Sequence, residues 1–150
     1  MKRPIAFWVI VGFHILSAIL LLIGQTTAMF AYEFAEKLGL QESIAEVTVF
    51  GIQMNKAFGA GDTFVYIPLI IISLIGLFMR KRWALVVNAA VMGISVYWTV
   101  TMTALMIYAR VVPGYSLRPG PDYVVFLGSF VIFGLWGLLY LVFRGDRLLR

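Results

Sequence analysis

The chain contains no cysteine and one histidine among its 150 residues. The first absence excludes disulfides, thiol chemistry and thiolate-bound metals, while saying nothing about redox compartment. With a single histidine, a structural zinc site or a two-histidine haem within one chain is not expected. Neither a metal nor a cofactor is therefore expected. Charge is scarce as well, at 13% of residues, with 12 Lys and Arg against seven Asp and Glu and a net charge of +5. A basic balance suggests nucleic acid, but these bases cluster beside apolar runs. That placement reads as membrane orientation, so nucleic acid is not an expected partner.

What fills the chain instead is apolar surface: 62% of the residues are apolar and the mean hydropathy is +0.96. A soluble domain uses about 45–50% apolar residues and has no place to bury the excess. A bilayer removes that difficulty, and the expected class is an all-α integral membrane protein. Crossing the hydrocarbon core takes about 20 mostly apolar residues. Four runs meet or approach that length, at about Ile5–Phe30, Thr63–Met79, Trp83–Tyr108 and Tyr123–Phe143. The first exceeds the ~7–15 residues of a signal-peptide core and no clean cleavage site follows a short core, so it reads as a retained span. Pro68 falls in the first two turns of the second run, where a missing N–H costs little. Residues 1–150 thus form one four-span domain, a transmembrane four-helix bundle.

Lys2, Arg3, Arg80, Lys81, Arg82, Arg144, Arg147 and Arg150 fall on one side of this bundle, against Lys37, Lys56, Arg110 and Arg118 on the other. The positive-inside rule places both termini and the Arg80–Arg82 turn in the cytoplasm, with a cell membrane as the location. That turn is short enough to make spans two and three antiparallel neighbours.

The outer segment 31–62 carries its own signals. The first helix is expected to extend to about Leu38 and stop at Gly39. Ser43 and Glu46 form an S-x-x-E capping box. Ile44, Val47, Phe50, Met54 and Phe58 then recur at three- or four-residue spacing, one face of an amphipathic helix lying on the interface or covering the bundle. Gly59 and Gly61 are expected to end it, with Asp62 or Thr63 capping the second span. The loop Val111–Asp122 holds three prolines and two glycines, giving a stiff connection with Pro121 at the first position of the last helix.

Polar side chains in spans should point inward. Projected at 100° per residue, each span carries one such stripe. They are His14, Gln25, Tyr32 and Glu36; Asp62, Tyr66 and Ser73; Asn88, Ser95, Thr99 and Arg110; and Asp122, Ser129, Phe133, Trp136 and Tyr140. If the four stripes converge, they line a cavity open to the outer side. From them the candidate ligand-binding set is His14, Gln25, Tyr32, Glu36, Asp62, Tyr66, Asn88, Ser95, Thr99, Arg110 and Trp136. The same small and weakly polar residues also serve ordinary helix packing in membranes, which is their commoner use. His14 is expected to be neutral and hydrogen-bonded to Asn88 or Ser95.

These stripes support a small protein that binds a lipid-like or hydrophobic small molecule, as a carrier, sensor or accessory subunit. An intramembrane enzyme on a lipidic substrate is the alternative, with Glu36, Asp62, Tyr66 and His14 as acid–base candidates. A small oligomeric transporter is the third reading, with His14, Ser95 and Thr99 near the midplane. Gly59-Ala60-Gly61-Asp62 matches the G-x-G-D around one aspartate of intramembrane aspartyl proteases, but no second membrane-embedded aspartate is present and that kinship is not drawn. The small-x-x-x-small pairs Gly24/Ala28 and Ala89/Gly93 fit internal packing, or a homo-oligomer or larger membrane complex.

Overall fold

The computed structural model describes residues 3–150, so Met1 and Lys2 lie outside the description. The described chain is helical, with no strand. Four helices are long and apolar enough to cross a membrane, as expected of a multi-pass membrane protein. We label the elements α1 (Ile5–Phe30), α2 (Tyr32–Lys37), α3 (Ile44–Phe78), α4 (Trp83–Val111) and α5 (Pro121–Leu149). The last turns of α4 and α5 are 3-10 helices. One end of the bundle holds the α3–α4 turn, here the turn end. The other holds α2 and the 112–120 loop, here the loop end.

The outward faces of the long helices are apolar. Val86, Ile132 and Val142 are each at least 72% exposed. Such a belt has no place in water and matches hydrocarbon, where only internally hydrogen-bonded helices survive. At the turn end the core contains Phe7, Ile10, Leu77, Ala84, Met92, Phe133 and Leu148. Arg3 closes this end by donating to the carbonyls of Leu77 and Phe78 at 2.9 Å each, a cation at the C-terminus of α3. The turn itself places Arg80 at φ 55°, with Lys81 N–H bonded to Gly76 O and Arg80 N–H to Leu77 O. This is a Schellman closure made without glycine.

The first helix does not run unbroken to Leu38. Ala31 adopts φ −147°, ψ 64° and separates α1 from α2. The expected stop at Gly39 is present, at φ 68°, with Gly39 N–H on Glu36 O and Leu40 N–H on Ala35 O. The capping box forms too, as Ser43 N–H donates to Glu46 Oε2 at 2.8 Å.

The expected boundary between an outer helix and the second span is absent. Gly59 and Gly61 do not end a helix, and Asp62 does not cap one: α3 continues from Ile44 to Phe78. The physical reason is a π-turn at Asp62–Tyr66, which adds a residue to the turn and lets Ile67 N–H reach back to Asp62 O. The wider turn precedes Pro68, whose ring and missing N–H disturb the preceding ladder.

A real break lies earlier, at Thr48, with φ 67° and ψ 171°. Helix bonds from residues 49 and 50 to the carbonyls of Ala45 and Glu46 would span this break. The 112–120 loop supplies other donors: Ser116 and Leu117 N–H both donate to Glu46 O, and Ser116 Oγ to Ala45 O. Because the helix direction changes there, the Ile44–Phe58 periodicity does not bury one face. Ile44 and Phe50 are exposed, while Val47, Asn55 and Gly59 are buried.

Pro121 opens α5 behind Gly120, as the loop sequence predicts. The polar stripe predicted for this last span, however, is rotated away from the interior. Asp122, Ser129 and Trp136 are exposed, and α5 buries Leu127, Phe130, Phe133, Gly134 and Gly137. Gly134 and Gly137 set that rotation: a Cβ on Gly134 would stand 2.9 Å from Met92 O, and one on Gly137 2.6 Å from Met92 Sδ. The closest face of α5 must therefore be its glycine face.

Candidate functional site

Parts of three predicted stripes lie in the bundle interior, His14 alone from the first. His14, Asp62, Tyr66, Ser73, Asn88, Ser95 and Thr99 are all buried. His14 Nε2 donates to Asn88 Oδ1 at 2.8 Å. Tyr66 donates its phenol to Ser95 Oγ, which itself donates to Val91 O. Thr99 Oγ1 donates to Ser95 O at 2.6 Å. These bonds tie α1 to α4 and α3 to α4, and satisfy groups that hydrocarbon would leave unpaired.

Alongside them, α1 carries a second π-turn at Leu22–Thr26, packed against the one in α3. Thr26 Oγ1 and Thr63 Oγ1 are 2.9 Å apart across this contact. Gly59 allows the approach, because a Cβ there would stand 2.6 Å from Gln25 O. Asp62 sits in this junction at 4% exposure. Its Oδ2 has no partner among the described residues, nor do Ser73 Oγ, Asn88 Nδ2 and Trp98 Nε1.

The remaining candidates are dispersed. Tyr32 is buried under the loop end. Its phenol donates to Glu42 O at 3.0 Å. Glu36 is half-buried on α2 with Tyr32, whereas Asp62 is buried at the junction of the two π-turns. Arg110 is exposed beside Tyr115 and Arg118, and does not reach Asp62. Trp136 lies on the outside of α5, between Phe133 and Tyr140, and contributes nothing to an interior cavity.

A larger, open recess of about 510 Å³ lies between α4 and α5, with Thr99 and Arg110 in its wall, and two smaller, adjoining recesses lie at the loop end. An apolar recess of about 220 Å³ lies between the N-terminal part of α3, the end of α4 and the 112–120 loop, with Met54, Met102, Met106 and Leu105 in its wall. Thr48, the strained residue, lines it as well. A second recess of about 130 Å³ abuts it, lined by Gln25, Phe58, Trp98, Tyr123 and Leu127. Glu42, Asn55, Met102 and Met106 line both, and among the described residues Glu42 is the only charged one in either wall.

Glu42 is held from two sides. Asn55 Nδ2 donates to its Oε2 at 2.8 Å, and Tyr123 donates its phenol to Oε1. Asn55 Nδ2 also donates to Tyr32 OH at 3.0 Å. Burial pushes the Tyr32 phenol above its ordinary pKa; the Asn55 bond opposes this, and the neighbouring Glu42, Glu36 and Glu46 add to it. Tyr32 therefore stays protonated as a donor. This network joins α2, the 38–43 connection, α3 and α5 around the recesses.

Glu42, Asn55, Trp98 and Tyr123 were not among the sequence candidates. Asn55 carried a readable signal, a polar residue one turn from both Gly51 and Gly59. Glu42 and Tyr123 carried none, since they meet through a contact 81 residues apart in the chain. Among the described residues, no group of acids and histidine is arranged to hold a metal ion. No family model, curated protein or solved structure matches the chain.

Proposed function

We propose that this chain is a membrane-embedded binding protein for a lipid-like or hydrophobic small molecule, held in the paired recesses at the loop end, and that it works as a carrier, sensor or accessory subunit. The observation that carries the reading is the pair of adjoining recesses with methionine and aromatic walls and a single charged side chain. Ligand sites are concave and mostly apolar, with a few polar groups that fix orientation. Methionines adapt to irregular apolar shapes, and three of them stand here. The positive-inside rule assigns both termini to the cytoplasm of a cell membrane and opens the recesses toward the outer side.

The test uses the purified full chain in nanodiscs and tritiated dodecane as the probe. Saturable binding at one site is expected, falling at least tenfold in Met102→Trp, which fills space between both recesses, while thermal unfolding stays cooperative. Non-saturable uptake equal to that of empty nanodiscs rejects the reading.

A further inference from the structure

The open groove between α4 and α5 continues into a second, polar recess. That recess, of about 550 Å³, is formed by Arg110 and the 115–119 stretch of the loop, Arg118 included. Arg110 and Pro119 line both, so the two adjoin at the end of α4.

The groove itself is built for hydrocarbon. Its wall holds the hydroxyls of Thr99, Thr103 and Tyr123. Each is already engaged, on Ser95 O, Thr99 O and Glu42 in turn. Gly128 contributes no side chain, and a Cβ there would meet nothing within 4 Å. Ile107, Val124 and Ile132 are exposed along it, so it opens sideways to the bilayer. From Thr99 to Arg110 the helix rises about 16 Å, close to half of the ~30 Å hydrocarbon core. The groove therefore spans one leaflet, with Arg110 at the end of its span, at headgroup depth.

The polar end is cationic. Arg110 and Arg118 are both exposed, and among the described residues no acid lines the groove or the recess beyond it. The acids of this end are placed elsewhere. Glu42 faces the enclosed recesses, held by Asn55 and Tyr123. Glu46 accepts from Ser43, and Asp122 lies toward α1. Two guanidinium groups match a phosphate, which accepts their N–H groups in pairs. A zwitterionic head would also bring an ammonium toward two arginines with no carboxylate to offset it. A head of net negative charge avoids that repulsion, and basic pockets between spans bind such heads.

We propose that an anionic phospholipid of the loop-end leaflet occupies this surface, its phosphate between Arg110 and Arg118 and one acyl chain along Gly128 down to Thr99. The site is separate from the paired recesses and does not depend on what they hold.

The full chain in detergent is titrated with dioleoyl phosphatidylglycerol or dioleoyl phosphatidylcholine, and bound lipids are counted by native mass spectrometry. The first phosphatidylglycerol is expected to bind about tenfold more tightly than the first phosphatidylcholine, the size of one hydrogen bond to a charged group. Arg110→Gln combined with Arg118→Gln is expected to bring the two lipids level. Gly128→Trp, which fills the groove and leaves both arginines in place, is expected to do the same. Met102→Trp, which fills the paired recesses instead, is expected to leave the preference unchanged. Cooperative thermal unfolding shows that each variant is folded.

Equal binding of the two lipids by the unaltered chain overturns the proposal. A preference that survives the arginine substitutions puts the headgroup elsewhere, and one that survives Gly128→Trp removes the acyl chain from the groove. A preference lost in Met102→Trp moves the lipid into the paired recesses.

Discussion

Gly59 on α3 lies so close to Gln25 on α1 that a Cβ added to it would stand 2.6 Å from the Gln25 carbonyl oxygen. That contact brings the two π-turns together. Gly61, two residues on, has open space around its added Cβ and right-handed helical dihedrals. The two glycines therefore predict opposite outcomes. Gly59→Ala should destabilise the bundle by about 1–3 kcal/mol, because backbone cannot move aside cheaply. Gly61→Ala should be neutral or stabilise by up to about 1 kcal/mol, through helix propensity. Thermal unfolding of both variants in the same detergent checks the pair. Equal effects would mean that the close approach does not hold the helices.

The His14–Asn88 bond is fully buried and links α1 to α4. A double-mutant cycle with His14→Phe and Asn88→Leu should give a coupling energy of about 0.6–1.7 kcal/mol, between the average and the maximum for interhelical hydrogen bonds in membranes. The double variant should be less destabilised than the sum of the singles, since each single leaves a buried polar group alone. Strict additivity would show that the pair contributes nothing specific.

Thr48 holds a backbone conformation that is nearly confined to glycine, at φ 67° and ψ 171°. The loop bonds from Ser116 and Leu117 to Glu46 O keep it there. Thr48→Gly should relieve the strain and raise stability by about 1 kcal/mol, the strain of ~1–3 being partly offset by glycine's chain entropy. Ser116→Ala should act the other way, by about 0.5–1.5 kcal/mol, through the lost bond to Ala45 O. Denaturant or thermal midpoints of the two variants give the comparison. A lower midpoint for Thr48→Gly would mean that the residue is not strained.

Glu42 organises the loop end through Asn55 and Tyr123. Glu42→Ala leaves the Tyr123 phenol without an acceptor and Asn55 Nδ2 with Tyr32 OH alone, and should cost about 1–3 kcal/mol. Glu42→Gln keeps an acceptor oxygen and should lose less than half as much. Proteolysis of the 38–43 connection provides a local readout, expected to be faster in the alanine variant only. Identical protection in both variants would remove Glu42 from its organising position.

Much of the architecture follows from one-dimensional signals. Long apolar runs require a bilayer-sized environment, and the runs at Trp83–Tyr108 and near Pro121 map onto helices almost residue for residue. The capping box at Ser43, the stop at Gly39 and the start at Pro121 are local chemistry, so they are legible without neighbours. The interior stripes of α1, α3 and α4 are legible because helical period and the cost of polar groups in hydrocarbon leave few alternatives.

The rest depended on contacts between distant parts of the chain. Glycines that read as a helix stop at Gly59 and Gly61 belong to a continuous helix, because the use of Gly59 is set by the Gln25 carbonyl across the bundle. The rotation of α5 was decided by the fit of Gly134 and Gly137 against Met92, which overrode its polar stripe and turned Trp136 outward. Thr48 is held in its conformation by a loop some 70 residues further along the chain. The recesses exist only between elements, so their volume is not written in any single helix. Sequence alone determined which residues must leave water. Tertiary packing decided which of them face one another, because close approach between backbones depends on the shape of both partners.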